Sequence, residues 1–110
     1  MSRYAGYTLG LMEFKIDNVD CRIKPQMKDV DEALRILAKA RTENVIPIQD
    51  IKKFCFNLLW NGIEQEEKDD KDTRKELDEF VTLRLLQIWL EVQIAFKMVD
   101  RAALETTKNG

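Results

Sequence analysis

Carboxylates are the side chains in this sequence with the greatest potential for chemistry. Glu76, Asp78 and Glu79 lie together at a predicted helix start, where the helix macrodipole and solvation explain acidic residues without a catalytic role. Glu91 is the carboxylate that falls within an apolar run, on a polar stripe that also contains Arg84. Such a stripe is typical of hydrogen bonding at a surface or between helices. We therefore predict no general acid or base among these groups.

The remaining residue types exclude further classes of chemistry. The chain has no histidine, and its two cysteines form no CxxC pair, so the ligand set of a usual zinc site is missing. No glycine-rich phosphate loop, dinucleotide fingerprint or GxSxG elbow occurs. The sequence predicts a protein that is not an enzyme and needs neither a cofactor nor a metal.

Cysteine usage and hydropathy indicate a compartment. Cys21 and Cys55 fall within predicted apolar faces, where a free thiol behaves as a small hydrophobe. One disulfide is the alternative, but the first residues contain no signal-peptide core, which favours reduced thiols in the cytoplasm. The C-terminal apolar run is interrupted by Arg84, Glu91 and Lys97, so no membrane span is predicted.

Length and charge limit the partners. At 110 residues, 45% hydrophobic and 35% charged, the chain fits one small folded domain. Its 18 basic and 20 acidic residues leave a net charge of -2, which provides no overall attraction to nucleic acid or an anionic membrane. We predict neither partner. The alternative is a local basic patch that forms if strand 2 and helix 2 are neighbours; it comprises Arg22, Lys24, Lys28, Lys52 and Lys53.

The stretch MEFKIDNVDCRIKP alternates apolar and polar residues and predicts a β-hairpin over residues 12–24. A two-residue turn at Asp17-Asn18 suits these residue types, which tolerate positive φ. The turn sets an inward apolar row and an outward row of opposite charges. The predicted pairs are Met12 with Ile23, Phe14 with Cys21, Ile16 with Val19, Glu13 with Arg22 and Lys15 with Asp20.

Helical periodicity predicts most of the remaining chain. Helices are expected over residues 29–41, with Asp29 as N-cap, over 47–62, with Pro47 in the first turn and Gly62 at a left-handed cap, and over 73–105. A charged loop over 64–72 connects the last two, and a leader (1–11) and a tail (106–110) flank one domain (12–105). The predicted fold class is α+β, mostly α, with the hairpin packed on about three helices. The apolar stripe of the first helix comprises Val30, Ala33, Leu34, Leu37 and Ala40.

The last predicted helix has two apolar faces instead of one. The first face comprises Leu77, Val81, Leu85, Ile88, Trp89, Val92, Ala95, Phe96, Val99 and Ala103. The second face comprises Phe80, Leu83, Leu86, Leu90, Ile94 and Met98. Three interpretations remain open for the second face: core, a surface that receives another helix or subunit, or the wall of a small-molecule pocket.

The order of elements resembles a known family. MEFKIDNVDCRIKP, an acidic-capped helix, FCFNLLWNG and the terminal LRLLQIWLEVQIAFKMVDRA together resemble the small tail assembly chaperones of long-tailed phages and prophages. The resemblance covers about Met12 to Ala103, although an Asp-Asn turn stands where the family pattern would have glycine.

The resemblance implies a cytoplasmic assembly factor of a bacterial or archaeal host. Such chaperones bind the long helical tape measure protein and cover its apolar surface, without ATP, until the tail tube forms around it. From the helix geometry we predict that the protein partner, a helical client or a second copy in a homo-oligomer, contacts Leu83, Leu86, Leu90, Ile94 and Met98. The alternatives are a connector or other structural subunit of a phage or mobile-element particle, a helical dimerisation module, and a DNA-binding regulator.

Overall fold

A two-stranded hairpin leads into five helices over residues 10–99, the part of the chain that the computed structural model describes. The strands are β1 (Met12–Ile16) and β2 (Val19–Ile23), and the helices are α1 (Met27–Glu43), α2 (Ile48–Gly62), α3 (Gln65–Lys68), α4 (Thr73–Leu83) and α5 (Leu85–Ala95). The predicted fold class, mostly helical α+β, is confirmed. Most of the predicted leader, the predicted helix over 100–105, Ala103 of its first face and the tail (106–110) lie outside the described residues.

The hairpin has the predicted register in all five pairs. Asp17 and Asn18 both take positive φ, 51° and 67°, as a type I′ turn requires. Of the inward row, Ile16 and Ile23 are buried with Cys21, whereas Met12 and Phe14 are half-buried. The prediction was wrong for Val19, which is 46% exposed because it lines an open cleft beside α2 and α4.

Gly62 ends α2 for a reason other than the predicted left-handed cap. No glycine described in residues 10–99 has positive φ, and Gly62 is buried. A Cβ atom at Gly62 would lie 2.0 Å from the carbonyl oxygen of Arg22 and 3.1 Å from the Cα atom of Ile23. The absence of a side chain therefore lets strand β2 lie directly against the end of α2.

Helix α1 begins two residues before the predicted start. The backbone N–H of Gln26 donates to Asp29 Oδ2 at 2.7 Å, so Asp29 acts as the third residue of the first turn and not as the N-cap. The predicted stripe was also wrong in part, because Leu34 is 51% exposed. Ala33 and Ile36 are the buried residues, so the face of α1 that packs on α2 is rotated relative to the prediction.

The predicted charged loop over 64–72 contains the single-turn helix α3. The Glu64 carbonyl accepts bonds from the N–H groups of Glu67 and Lys68, at 3.1 and 3.2 Å. The ammonium of Lys68 lies 5.6 Å from the centre of the Trp60 ring, a cation–π contact that ties this turn to α2.

The predicted single helix over 73–105 was wrong, because Arg84 separates α4 from α5. Arg84 has φ −123° and ψ 28°, outside the α-helical range, although neither proline nor glycine is nearby. Its guanidinium pairs with Asp17 in the hairpin turn, so the interruption coincides with a tertiary contact.

Helix α5 ends at Ala95 in a Schellman motif. The N–H of Lys97 donates to the Ile94 carbonyl at 3.0 Å, and the N–H of Met98 donates to the Gln93 carbonyl at 2.8 Å. Lys97 occupies the left-handed position, with φ 60°.

Helix α2 is the centre of the core, as its broad apolar surface predicts. Strand β2 and helices α1, α4 and α5 all pack against it. Phe54 of α2 meets Trp89 of α5 edge to face, with ring centres 5.9 Å apart. Cys21 and Cys55 are buried free thiols. Burial raises the pKa of the Cys21 thiol to about 11 and that of Cys55 to about 12.

Candidate functional site

Three leucines of α4 and α5 leave large apolar side chains in contact with solvent. Leu83 is 72% exposed, Leu86 62% and Leu90 38%. Leu83 is the last residue of α4, and Leu86 and Leu90 lie one turn apart on α5. We refer to Leu83, Leu86 and Leu90 as the leucine row. An isolated exposed leucine is ordinary, but three neighbouring ones form an apolar surface of the kind that contacts another protein.

The leucine row is exposed because the opposite face of α4 and α5 supplies the core. Val81, Ile88 and Val92 are fully buried, and Leu85 and Trp89 are nearly so. These residues all belong to the first predicted face of the helix. Since one side of α5 already packs on α2, its second side has no described element against it at Leu86.

Ile94 and Met98, the other two predicted contact residues, differ from the leucine row. Both are half-buried, and Met98 packs against the core cluster. Met98 also lies beyond the Schellman motif, and Leu83 lies before the interruption at Arg84. The five predicted residues therefore do not follow one continuous helix, and the leucine row is the exposed part of the set.

The carboxylates considered for chemistry lie apart from the leucine row or at its edge. Glu76, Asp78 and Glu79 are exposed on α4, and Asp78 Oδ1 lies 3.7 Å from the ammonium of Lys52. Glu91 is half-buried on α5. Within residues 10–99, no three His, Cys, Asp or Glu side chains are grouped so that they could hold a metal ion.

Ion pairs shift the pKa values of side chains on α1 and between α1 and α2. The Lys39 ammonium lies 2.9 Å from Asp50 Oδ2, and this hydrogen-bonded pair raises the pKa of Lys39 and lowers that of Asp50. A hydrogen bond from Arg35 lowers the pKa of Glu32 in the same way. The Lys39–Asp50 pair joins α1 to α2, and the Glu32–Arg35 pair lies within α1. Exposed ion pairs of this kind contribute little to stability.

Two depressions of opposite charge flank α4, and sequence reasoning did not identify them. The acidic cleft, of about 790 Å³, lies among β2, α2, α3 and α4; its charged residues are Glu13, Asp20, Glu64, Glu67, Glu76 and Arg22. The basic groove, of about 660 Å³, lies between α2 and α4; its charged residues are Lys52, Lys53, Lys71, Arg74, Lys75 and Asp78.

The basic patch considered from the sequence is divided by the fold. Arg22 lies in the acidic cleft, where it donates to Glu64 Oε1 at 2.6 Å, and Lys52 and Lys53 line the basic groove. The signal that would have revealed the groove is the spacing of Lys71, Arg74 and Lys75, three and four residues apart, which places cations on one side of a helical turn.

Comparison with protein-family models, curated proteins and solved structures finds no match to this chain. Among the helices within residues 10–99, none has the length and apolar character needed to cross a membrane.

Proposed function

We propose that this protein is a non-enzymatic tail assembly chaperone of a phage or prophage, cytoplasmic in a bacterial or archaeal host. It binds the long helical tape measure protein and covers apolar surface of that client until the tail tube assembles. The proposal depends on the order and sequence patterns of the hairpin and helices. The observation that carries it is the exposure of the leucine row.

The leucine row suits an amphipathic helix as client. Helical clients present apolar residues at spacings of three and four, which match the spacing from Leu86 to Leu90 within α5. Burial of one leucine side chain contributes about 1.5–3 kcal/mol, so a few such contacts hold a client reversibly without ATP. Release then needs only a competing surface, such as that of polymerising tube subunits.

Coexpression with the client tests this function. A long, mainly helical protein, sought among the products of the neighbouring genes, serves as the client, and the readout is the soluble fraction of that client. We expect wild-type protein to keep the client soluble and to copurify with it. We expect Leu86→Asp and Leu90→Asp to lose both effects, because a carboxylate at the interface would be desolvated without a partner.

Ile46→Asp is the matched control. Ile46 is 65% exposed, close to the 62% of Leu86, but it lies in the connection between α1 and α2. Ile46→Asp should keep the client soluble, and far-ultraviolet circular dichroism should show all variants folded. Full client solubility with Leu86→Asp would contradict the proposal.

A different result would favour the alternative classes. If the isolated protein forms closed rings and leaves client solubility unchanged, a connector subunit explains it better. If Leu86→Asp converts a stable dimer into a monomer and no client binds, the leucine row is a dimerisation surface.

A further inference from the structure

The basic groove concentrates positive charge on a protein whose net charge is negative. Five cations and one carboxylate line it, and Lys52 is the cation that pairs with that carboxylate, Asp78, at 3.7 Å. Lys53, Lys71 and Lys75 make no ion pair with any residue in the described range 10–99. These three ammonium groups are therefore available to an acidic partner.

Arg74 holds the two walls of the groove together. Its guanidinium lies 4.9 Å from the ring centre of Phe56 and 5.3 Å from that of Trp60, and the two rings are stacked. Because this cation–π contact positions α4 on α2, the lysines on both helices are presented on a fixed framework.

The helix macrodipole disfavours these cations at the start of α4, where Asp72 and Glu76 also lie. Lys71 precedes the helix, and Arg74 and Lys75 lie in its first turn. The amino end of a helix carries partial positive charge, so cations there are repelled by the macrodipole. Carboxylates from a partner would relieve both this repulsion and the repulsion among the lysines.

The acidic cleft offers the complementary charge on the other side of the same helix. Five carboxylates and one guanidinium line it, and Glu67 and Glu76 make no ion pair with any residue of the described chain. Its apolar floor includes the exposed Val19 and the half-buried Leu77. At 3.6 residues per turn, the α4 residues of the cleft and those of the groove are centred about 160° apart around the helix.

From this arrangement we propose that the occupant of the basic groove is a second copy of this chain, which inserts the acidic rim of its cleft. The two surfaces are different and lie on opposite sides of α4. Such a contact is heterologous, and each added copy presents a new groove and a new cleft. It therefore builds rings or short filaments instead of a symmetric dimer. The contact does not involve the leucine row, so its failure and that of the client-binding function are separable.

Sedimentation velocity of the full chain tests the contact. We expect species larger than a dimer at about 0.01 M salt, where the screening length is about 30 Å, and monomers at about 1 M, where it is about 3 Å. Lys71→Glu with Lys75→Glu should weaken association at low salt by roughly tenfold or more. The double variant Glu67→Lys with Glu76→Lys should weaken association by a similar factor. If that variant does not fold, Glu67→Lys alone, on the short α3, replaces it in the test.

Mixing the two reversed proteins gives the sharpest result. The groove variant keeps an intact cleft, and the cleft variant keeps an intact groove, so the two variants can contact each other. An equimolar mixture should therefore associate at a concentration where each variant alone is monomeric. Two control variants change the net charge by the same amounts at exposed positions outside both depressions. Lys24→Glu with Lys28→Glu matches the groove variant, and Asp31→Lys with Glu43→Lys matches the cleft variant. Both controls should associate as the wild type does.

Three outcomes would overturn the proposal. The first is a wild-type protein that stays monomeric at low salt, including one whose groove instead binds a DNA duplex. The second is association that survives both reversals but disappears with Leu86→Asp. The third is an equimolar mixture of reversed variants that forms no complex.

Discussion

The hairpin and the helices that meet at the α4–α5 junction both pack on α2, but they bury their large apolar side chains to very different extents. In the hairpin, Ile23 is completely buried and Ile16 is 4% exposed. At the junction, Leu83 and Leu86 are mostly in water. The hairpin therefore uses its apolar residues to stabilise the domain, whereas the junction leaves its leucines exposed to solvent.

The difference follows from what each region packs against. A two-stranded hairpin is marginal by itself and needs a second surface, which the end of α2 supplies at Gly62. Helix α5 already packs through Ile88 and Val92, which lie in the core. Its other side therefore needs no further packing surface for the helix to be stable. Different residues of the chain thus stabilise the core and form the exposed apolar surface.

Truncation of one residue in each region gives the largest expected contrast. Ile23→Ala removes a fully buried side chain and should lower the free energy of unfolding by about 4 kcal/mol. Leu83→Ala, at a position 72% exposed, should change it by less than about 0.5 kcal/mol. Urea denaturation measures both. Similar losses for the two variants would show that the junction is as much a part of the stabilising core as the hairpin.

Gly62→Ala tests whether close contact with α2 holds the hairpin. The new Cβ atom would overlap the Arg22 carbonyl, and we expect a loss of about 3 kcal/mol, even though alanine favours helices over glycine. Gly10→Ala is the control, since nothing lies within 4 Å of its Cβ position. A Gly62→Ala protein as stable as wild type would mean that β2 can move away from α2 at little cost.

The two buried thiols, Cys21 in the hairpin and Cys55 in α2, make stability dependent on pH. Burial raises the pKa of Cys55 from its ordinary value of 9.0 to about 12 and that of Cys21 to about 11. Because the unfolded chain loses these protons first, the free energy of unfolding should be unaffected by the thiols below pH 9 and should fall as the pH rises from 9 towards 12.

Alkylation at pH 8, followed by mass spectrometry, checks the assignment of each thiol. Both should react at least about tenfold more slowly than in denaturant, because the thiolate is the reactive form. Cys21 in the hairpin should react faster than Cys55 in α2, since its pKa is raised less and it is slightly more exposed. The reverse order would mean that α2 opens more readily than the hairpin.

The smallest expected effect concerns the ion pair that joins the two regions. Arg84 and Asp17 are about half exposed, so their interaction should be worth only about 0.5 kcal/mol in a double-mutant cycle of Arg84→Ala and Asp17→Ala. A coupling energy several times larger would show that the hairpin turn determines the geometry of the α4–α5 junction.

Local signals predicted the hairpin, and tertiary contacts account for the errors elsewhere. The Asp17-Asn18 turn and the alternation around it are sufficient to set the register. Nothing local marks Arg84 as a break, since the surrounding residues favour helix and the contact to Asp17 is distant in sequence. The role of Gly62 was mispredicted for the same reason. This glycine lets β2 lie close to α2, a tertiary contact that is not visible in the local sequence, and it does not form a helix cap.

The candidate contact residues were predictable as an apolar face but not as a surface. Periodicity groups Leu83, Leu86 and Leu90 with Ile94 and Met98, and it cannot tell which members other elements cover. Exposure depends on how α5 is rotated against α2 and on where α5 ends. Both are properties of the assembled fold, and they divide the predicted set into an exposed leucine row and two half-buried residues.

The contact between Asp17 and Arg84 also has a consequence for the folding pathway. It joins residues 67 positions apart, so closing that loop costs far more chain entropy than forming the hairpin or a helix. We expect the contact to form after the transition state, once the hairpin and the helices have met. Its removal should then leave the refolding rate unchanged and increase the unfolding rate.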